Sequence, residues 1–463
     1  MLNFTKIDRN NPSKRGVMDR IKDFKEVYNV FDKNKASEQA DRCIGCGDPY
    51  CHNKCPLHNI IPAWLKQTAG NDLELAFNIS NETSPFPEIL GRICPQDVLC
   101  EGDCSLNDTH GAITIGAVET YISETGFDNG LVPKFSKNKV GKKVAVVGSG
   151  PAGISAATFL LRAGIDVDMY ERANRAGGLL TYGIPGFKLD KHRVERRINW
   201  LKEAGMQLFT NCEIGKDKSF ETLEKEYDAI FMGIGATKGK YPNISGEKNS
   251  NVYLAMEFLT GIQQRNFLEE SAEHKEETIT TFVDVKGKNV VVIGGGDTAM
   301  DCVRTSVREG AKSIKCLYRR DETNMPGSKK EVQNSKEEGV EFVFNVSPLS
   351  IEADCVNLIK TAMSEPDESG RSSIVNVAGS EYSEVADIII LALGFEQELP
   401  TFLQDAKIEL DRWNGMKVNE KSQTSNPKIY AGGDGVRGAD LAVRAAADGK
   451  LAAENIIRVL LNK

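Results

Sequence analysis

The chain has 463 residues, 40% apolar and 27% charged, which is the composition of a globular protein too long for one hydrophobic core. A net charge of -8 and an isoelectric point near 5.5 disfavour nucleic acid or an anionic membrane as the partner. The sequence has no apolar run of the roughly 18–20 residues that span a bilayer, and the charged N-terminus lacks the apolar segment of a signal peptide. We therefore expect a cytoplasmic protein of two or three domains, whose thiols stay reduced.

Three regions of different pattern follow one another along the chain. Residues 1–140 are rich in cysteine, and short helical stretches such as 61–80 alternate with polar turns. A polar stretch at 128–143 that contains glycine and proline is typical of a linker. From residue 143 the pattern changes to strand, glycine turn, helix and strand, and the same pattern starts again near residue 289. The sequence predicts a helical region followed by two related α/β units.

The first region holds seven of the eleven cysteines. They are Cys43, Cys46, Cys51, Cys55, Cys94, Cys100 and Cys104. An odd number of closely spaced thiols in a reducing compartment argues against disulfides. Zinc remains an alternative, although its sites use paired C-x2-C knuckles and only one such pair occurs here. Iron–sulfur clusters are favoured, but two cubanes need eight ligands and the region offers seven thiolates.

The first α/β unit carries a dinucleotide-binding turn. Gly148, Gly150 and Gly153 follow an apolar strand and open an alanine-rich helix, and Glu171 ends the next strand. In this context the glycines allow a tight turn, a close approach of the backbone to a pyrophosphate and close helix packing, while the helix N-terminus attracts phosphate. Glu171 would accept hydrogen bonds from ribose hydroxyls but repel a 2′-phosphate. This unit therefore favours FAD or NAD.

The second α/β unit repeats the turn with Gly294, Gly296 and Ala299. Its second strand ends in Arg319 and Arg320 instead of an acid. Guanidinium groups pair with a 2′-phosphate through charge-assisted bonds, so this unit favours NADP. The alternative is that the two arginines form a solvated strand end.

A stretch near the end of the chain favours FAD over NAD as the ligand of the first unit. A strand at 428–431 precedes Gly433 and Asp434, and a long helix rich in small residues follows. This arrangement looks like the late motif of two-dinucleotide flavoproteins, in which the aspartate bonds the ribityl chain and the helix N-terminus faces the flavin. Segments 231–236 and 390–395 resemble the crossovers between the nested domains of that fold.

These patterns predict an α/β protein with a helical iron–sulfur domain and two nested dinucleotide-binding, Rossmann-like domains. The expected limits are 1–140 for the helical domain, 141–241 with 397–463 for the FAD domain, and 242–396 for the NADPH domain. NADPH gives up two electrons together as hydride, a flavin can release them singly, and clusters accept single electrons. The combination indicates that electrons leave the chain for another protein.

Several long motifs, taken in chain order, resemble one known family. They lie at 39–65, 91–107, 177–191, 294–311, 318–332 and 424–434. From about residue 20 to its end the chain resembles the small (β) subunits of NADPH-dependent glutamate synthase. The wider family includes the N-terminal half of dihydropyrimidine dehydrogenase and NADP-linked subunits of flavin-bifurcating, ferredoxin-dependent oxidoreductases.

The resemblance implies two 4Fe-4S clusters, FAD and NADPH, and it guides the assignment of site residues. Spacing and resemblance together assign one cluster to Cys43, Cys46, Cys51 and Cys104, and the other to Cys55, Cys94 and Cys100. The family has one non-cysteine ligand, Gln or Glu, which points to Glu119; His58 and Asp103 are weaker candidates. The family's adenosine-ribose acid falls on Glu171 and its late flavin aspartate on Asp434, and the expected FAD site also includes Gly148, Gly150, Gly153, Gly178, Leu179 and Gly433. The family's NADPH contacts fall on Asp297, Thr298, Arg319 and Arg320, and the expected NADPH site also includes Gly294, Gly296 and Ala299.

The implied activity is electron input. NADPH would reduce FAD, and the clusters would pass electrons to an FMN-containing large (α) subunit that makes glutamate from glutamine and 2-oxoglutarate. The expected assembly is a hetero-oligomer. One alternative is an NADP-linked subunit of a ferredoxin-dependent, bifurcating complex, and another is a non-catalytic assembly module with a decayed fold. The four later cysteines, Cys212, Cys302, Cys316 and Cys355, are expected to be buried apolar fillers.

Overall fold

The computed structural model describes residues 3–270, 279–365, 372–397 and 399–462. The first region is helical, with two short 3-10 turns at Asn3–Thr5 and Gln96–Val98. Its helices are α1 (Val17–Arg20), α2 (Lys33–Ala40), α3 (Tyr50–Lys54), α4 (Ile61–Ala69), α5 (Leu73–Thr83), α6 (Pro87–Ile93), α7 (Asn107–His110) and α8 (Ile115–Asp128).

Side-chain caps determine where two of these helices begin. Asp32 accepts a hydrogen bond from the backbone N–H of Lys35 at 2.8 Å at the start of α2. Asp72 does the same for Leu75 at 3.1 Å at the start of α5. The apolar faces of α2, α4, α5 and α8 meet in a core around the fully buried Trp64. The helical region therefore has a core of its own.

The remaining elements alternate between strands and helices. The first part contains β1 (Lys143–Val147), α9 (Pro151–Arg162), β2 (Asp166–Tyr170), α10 (Leu179–Tyr182), α11 (Lys191–Glu203), β3 (Gln207–Phe209), α12 (Phe220–Glu226) and β4 (Ala229–Met232). The middle part contains β5 (Lys238–Gly239), β6 (Val252–Leu254), α13 (Ala255–Glu270), β7 (Asn289–Ile293), α14 (Asp297–Arg308), β8 (Ser313–Tyr318), α15 (Lys329–Glu337), β9 (Glu341–Phe344), β10 (Val346–Ile351), β11 (Cys355–Met363), β12 (Ile374–Asn376), β13 (Tyr382–Val385), β14 (Ile388–Leu391) and β15 (Phe395–Glu396). The last part contains α16 (Phe402–Asp405), β16 (Ile429–Ala431), α17 (Asp434–Arg437) and α18 (Ala442–Leu460).

Two five-stranded parallel sheets form the cores of the two α/β units. The first has the strand order β16-β4-β1-β2-β3, so the chain leaves this sheet after β4 and returns to it with β16. The second has the order β6-β14-β7-β8-β9 and carries an antiparallel sheet of β10 to β13. Both faces of such parallel sheets are covered, which explains why β1, β4, β7 and β14 are nearly continuous runs of apolar residues. Strands β5 and β15 pair where the chain passes between the sheets.

Close helix packing brings the end of the chain onto the first sheet. Helices α9 and α18 cross so tightly that a Cβ at Gly449 would lie 2.1 Å from the carbonyl oxygen of Ala152. Ser155 also donates a hydrogen bond to the carbonyl of Ala446 at 2.6 Å. A side chain at position 449 would separate the helices, so this glycine sets the position of α18 beside the glycine turn of β1.

Buried ion pairs connect the helical region to both α/β units. Arg197 on α11 pairs with Glu88 on α6 at 2.6 Å, and neither side chain is exposed. Arg20 pairs with Glu338, just after α15, at 2.9 Å, and these side chains are 1% and 0% exposed. Removing one partner of such a pair leaves an uncompensated buried charge and costs about 3–5 kcal/mol. The three regions therefore have fixed relative positions.

Candidate functional site

A central cavity lies where the two α/β units face each other. From the first unit it is lined by the turn after β1, by Glu171, by Gly178 and by Gly433 and Asp434. From the second it is lined by Asp297, Thr298 and Asp301 at the start of α14. The cavity thus brings together residues that the sequence assigned to FAD and two that it assigned to NADPH.

The glycine turn after β1 has the shape that a pyrophosphate requires. Gly148 has φ +95°, and a Cβ there would lie 2.7 Å from the carbonyl oxygen of Gly233. Around Gly150 the space is open, because no described atom outside its immediate chain neighbours lies within 4 Å of the position of a Cβ. At Gly153 a Cβ would lie 1.9 Å from the carbonyl oxygen of Gly148. The turn is closed on the protein side and open at the position that a dinucleotide approaches.

The turn after β7 repeats this geometry. Gly294 has φ +147°, and a Cβ there would lie 2.2 Å from the carbonyl oxygen of Ala392. Gly296 again faces open space, and Ala299 is fully buried against the strand. Asp297 holds the neighbouring segment, since its Oδ1 accepts a hydrogen bond from the backbone N–H of Ser328 at 3.0 Å. This second turn also fits a dinucleotide phosphate.

The acids of the first unit differ in how they are held. Glu171 is buried, and its carboxylate accepts backbone hydrogen bonds from Ser149 at 3.1 Å and from Ala173 at 2.8 Å. Asp434 lies at the start of α17, where burial raises the pKa of its carboxyl to about 7. Such a half-buried carboxyl gains from a polar partner, which a hydroxyl-bearing ligand would supply. Gly178 and Leu179 line the same cavity at the start of α10.

Arg319 and Arg320 directly follow β8, outside the central cavity. Strand β8 pairs in parallel with β7, and Leu317 lies opposite Ile293, so the arginines follow at the same sheet edge as the turn that begins at Gly294. Arg319 is exposed, whereas the Nε atom of Arg320 is buried and has no hydrogen-bond partner among the described residues. An unpaired buried guanidinium donor fits an anionic ligand at this edge.

The seven N-terminal cysteines fall into two pockets. The outer thiol pocket is lined by Cys43, Cys46, Cys51 and Cys104, together with the half-exposed Ile44 and Tyr50. The inner thiol pocket is lined by Cys55, Cys94, Cys100 and Glu119 among buried apolar side chains. His58 and Asp103 line neither pocket, and Asp103 instead pairs with Lys54 at 3.4 Å on the surface. The structure groups the cysteines as the sequence assignment grouped them.

The inner pocket also contains the polar side chains of Asn59, Ser84 and Gln96. The Nε2 atom of Gln96 donates a hydrogen bond to the carbonyl of Gly91 at 2.9 Å, and Glu119 accepts one from Asn59 at 2.8 Å. Gln96 follows the Cys94-Pro95 dipeptide directly, which is the sequence signal that could have identified it. The pocket therefore offers four oxygen-bearing side chains, and Glu119 and Gln96 are the two of the types, Glu or Gln, expected of the non-cysteine ligand.

Burial leaves these groups without electrostatic compensation in the protein itself. It raises the pKa of Cys51 to about 12, raises the pKa of the Cys94 and Cys100 thiols well above their usual value, and raises the pKa of Glu119 to about 8. No disulfide joins any of the eleven cysteines, all of which lie within the described residues. In the part of the chain that the structure describes, no group of three or more His, Cys, Asp or Glu could hold a single metal ion. Separated thiols around a cavity fit the larger iron–sulfur cubane, whose positive irons supply the missing charge.

The three cavities are neighbours. Cys94 lines the inner pocket, while the preceding residue, Ile93, lines the central cavity. On α18, Val443 faces the inner pocket and Ala442 the central cavity. Ile115 lines both thiol pockets. The order is therefore central cavity, inner pocket, outer pocket and surface, with one wall of side chains between successive spaces.

Comparisons with known proteins agree with this division. Residues 20–131 match a family described as dihydropyrimidine dehydrogenase domain II, 4Fe-4S cluster, and residues 142–449 match the pyridine nucleotide-disulphide oxidoreductase family. The Escherichia coli glutamate synthase (NADPH) small chain is 46% identical over 99% of this chain and 98% of that protein. The chain belongs to the glutamate synthase small-chain family.

Other members and relatives extend the comparison. The Azospirillum brasilense glutamate synthase (NADPH) small chain is 44% identical over 98% of this chain and 95% of its own length. A protein named putative oxidoreductase AegA, from Escherichia coli, is 44% identical over 97% of this chain and 69% of its own length. Among solved structures, Mycobacterium tuberculosis FprA in complex with NADPH has a TM-score of 0.57 at 19% identity, covering 69% of this chain and 85% of that one.

Membership in the glutamate synthase small-chain family confirms the predicted fold class and cofactor set. The chain is an NADPH-dependent oxidoreductase that uses FAD and 4Fe-4S chemistry. Within the described residues, no helix is both long and apolar enough to pass through a membrane.

Two features of the site differ from the sequence-based expectations. Cys302 and Cys316 are buried as predicted, but that prediction is wrong for Cys212 and Cys355, which are half-exposed. Cys212 follows β3 and lines the central cavity, and Cys355 is the first residue of β11, the central strand of the antiparallel sheet. The sequence analysis also missed the pair of Lys188 and Asp301 in the central cavity, because its partners lie 113 positions apart.

Proposed function

We propose that this chain is the electron-input subunit of a glutamate synthase, in a hetero-oligomer with a large, FMN-containing subunit that makes glutamate from glutamine and 2-oxoglutarate. The observation that carries the proposal is the wall shared by the central cavity and the inner thiol pocket at Ile93–Cys94. The names of the small-chain relatives support the large subunit as the partner. The proposed domain limits are those of the sequence analysis.

The chain's own residues prepare each transfer. When bound, NADPH supplies hydride, FAD converts the electron pair into single electrons, and 4Fe-4S clusters carry those single electrons. The turns at Gly148 and Gly294 hold the two dinucleotides, and Asp434 accepts a hydrogen bond from the FAD chain. The apolar wall at Ile93 and Val443 keeps water out of the route between the central cavity and the inner pocket.

The proposed cluster ligands follow the two pockets. Cys43, Cys46, Cys51 and Cys104 hold the outer cluster. Cys55, Cys94 and Cys100 hold the inner cluster, and Glu119 completes it. Glu119 is preferred to Gln96 because its carboxylate carries the negative charge that a ligand of an iron–sulfur cluster supplies. In addition, Asn59 fixes one of its oxygens, while the other has no hydrogen-bond partner among the described residues.

Anaerobic analysis of the purified chain, together with co-purification, tests the function. We expect about eight irons per FAD, two 4Fe-4S clusters, and bleaching of the flavin by NADPH. Co-expression with the large chain should give a stable complex that makes glutamate from NADPH. If the chain instead captures a ferredoxin-type protein and no large FMN subunit, it is an NADP-linked subunit of a bifurcating complex. A colourless protein would contradict both functions.

The choice of NADPH over NADH provides a second test, through Arg319 and Arg320. We expect the double variant Arg319→Glu with Arg320→Glu to weaken NADPH binding by about 10–100-fold and NADH binding much less. Only NADPH carries the 2′-phosphate that the guanidinium groups bind. The matched control is Lys286→Glu with Lys312→Glu, which makes the same charge change at exposed positions of the same unit. Equal loss for the two nucleotides would show that the arginines do not bind the 2′-phosphate.

A further inference from the structure

One ion pair in the central cavity joins the two nucleotide-binding units directly. The Nζ atom of Lys188 lies 2.9 Å from the Oδ1 atom of Asp301, and the two side chains are 13% and 8% exposed. Lys188 belongs to the loop between α10 and α11, whereas Asp301 lies in the second turn of α14, four residues after Asp297. Both side chains line the cavity that also contains the Gly148 turn.

The residue before Lys188 contacts the same face of α14. Phe187 is 1% exposed, and its ring centroid lies 4.4 Å from the guanidinium carbon of Arg304 and 4.0 Å from that of Arg308. Positions 301, 304 and 308 follow one another along one side of a helix. Two adjacent residues of the first unit therefore hold the helix that presents Asp297 and Thr298 to the cavity.

The other charged groups near the pair do not replace this contact. Lys191 donates hydrogen bonds to the carbonyls of Leu180 and Ile184 within its own unit. Glu331 pairs with Arg304, both of them in the second unit. Lys14 and Arg20 attach the N-terminal segment to the far end of α15, away from the cavity. At the cavity itself, the described contact between oppositely charged side chains of the two units is Lys188 with Asp301.

A buried ion pair is a weak source of stability, because the cost of removing two charges from water offsets their attraction. It does fix geometry. Hydride transfer needs the reacting atoms roughly 3–3.5 Å apart, and a displacement of about 1 Å can cost about a hundredfold in rate. A pair that ties the helix of the donor site to the loop of the acceptor site controls this distance.

We propose that Lys188 and Asp301 are positioning residues for hydride transfer. Their ion pair holds α14, and with it the NADPH end of the cavity, at a fixed distance from the FAD end. The inference rests on the proposed function in that NADPH is the donor and FAD the acceptor. Neither side chain exchanges an electron or a proton in this role.

Anaerobic stopped-flow measurement of flavin reduction at saturating NADPH tests the proposal. The variants are Lys188→Met, Asp301→Asn and the double variant, made in the full chain with its FAD and clusters. We expect each single variant to slow flavin reduction by at least about tenfold and to increase the primary isotope effect with 4-deuterated NADPH. The double variant should be no slower than the slower single variant, because the two residues act as one unit.

Two controls separate positioning from a general loss of structure. Lys14→Met removes another lysine that pairs across to the second unit, with Glu337 at 2.8 Å, but outside the cavity, and should leave the reduction rate unchanged. Reduction by dithionite and FAD content should be the same in all variants. Where Lys188→Met fails to fold, Asp301→Glu keeps the charge but shifts the carboxylate, and should still slow reduction by NADPH.

The proposal is overturned if Lys188→Met or Asp301→Glu reduces flavin at the wild-type rate, or if the effects of the two single variants multiply in the double variant. Failure of the part of the proposed function on which the inference rests has a different signature: if NADPH were not the donor to FAD, it would not reduce the flavin of the unmodified protein at all.

Discussion

The two thiol pockets contain similar candidate ligands but differ in their surroundings. The inner pocket is walled by Leu57, Leu90 and Val443, which are 2%, 3% and 3% exposed, and it adjoins the central cavity. The outer pocket opens beside Ile44 and Tyr50, which are 42% and 56% exposed. Burial thus decreases along the route from the flavin to the surface.

This difference indicates separate roles for two chemically similar centres. A centre in a dry, apolar pocket is insulated from water and from external oxidants, which suits a relay from the flavin. A centre beside exposed apolar side chains lies within reach of another protein. The oxygen-bearing ligand candidates, Glu119 and Gln96, both line the inner pocket, so the two proposed centres would also differ in a ligand that sets their potential.

The largest expected effect comes from removing one thiol from each pocket. Cys94→Ser and Cys51→Ser should each lower the iron content by about half, because each removes a ligand of one cluster. With NADPH as reductant, Cys94→Ser should leave the flavin reducible but the outer centre oxidised, whereas Cys51→Ser should leave the inner centre reducible. Electron paramagnetic resonance after anaerobic NADPH addition measures this.

An equal response of the two thiol variants would contradict the proposed difference in role between the two pockets. If both leave the remaining centre reducible by NADPH, the inner pocket is not an obligatory relay. If either leaves the iron content unchanged, the substituted cysteine is not a ligand.

A smaller effect should distinguish Glu119 from Gln96 as the fourth ligand of the inner centre. We expect Glu119→Ala to lower iron occupancy and Glu119→Cys to retain the cluster with a shifted paramagnetic signal, because a thiolate replaces a carboxylate. Gln96→Ala is the matched control and should leave that signal unchanged. The reverse result would assign the ligand to Gln96, whose side chain already donates to the carbonyl of Gly91.

The sequence predicted those parts of the molecule in which local chemistry determines structure. The turns at Gly148 and Gly294 could be recognised because each glycine is needed within a few residues of its own strand and helix. The grouping of thiols could be proposed from their spacing together with the family resemblance. Both the fold class and the cofactor set could therefore be predicted from motifs.

Contacts between distant segments could not be predicted in this way. Gln96 enters the inner pocket because α6 and α8 pack closely. Its position after Cys94 does not by itself reveal this packing. Lys188 and Asp301 meet only when both nucleotide-binding units are assembled. The exposure of Cys212 depends on the cavity beside β3, and no local pattern in the sequence records that cavity.

The smallest expected effect concerns the polar support of each pocket. Asn59 is buried and lines the inner pocket, where its Nδ2 donates to Glu119 at 2.8 Å and its Oδ1 accepts from Thr83 at 2.9 Å and from the indole N–H of Trp64 at 3.3 Å. At the outer pocket, the exposed Ser105 contacts the sulfur of Cys46 at 3.3 Å.

Asn59→Ala should lower the free energy of unfolding by about 1–3 kcal/mol, because it leaves buried polar groups unpaired. Ser105→Ala should change it by less than about 0.5 kcal/mol, because water replaces the lost hydroxyl. Anaerobic urea titrations followed by cluster absorbance compare the two, and equal shifts would mean that the inner pocket is no better insulated from water than the outer one.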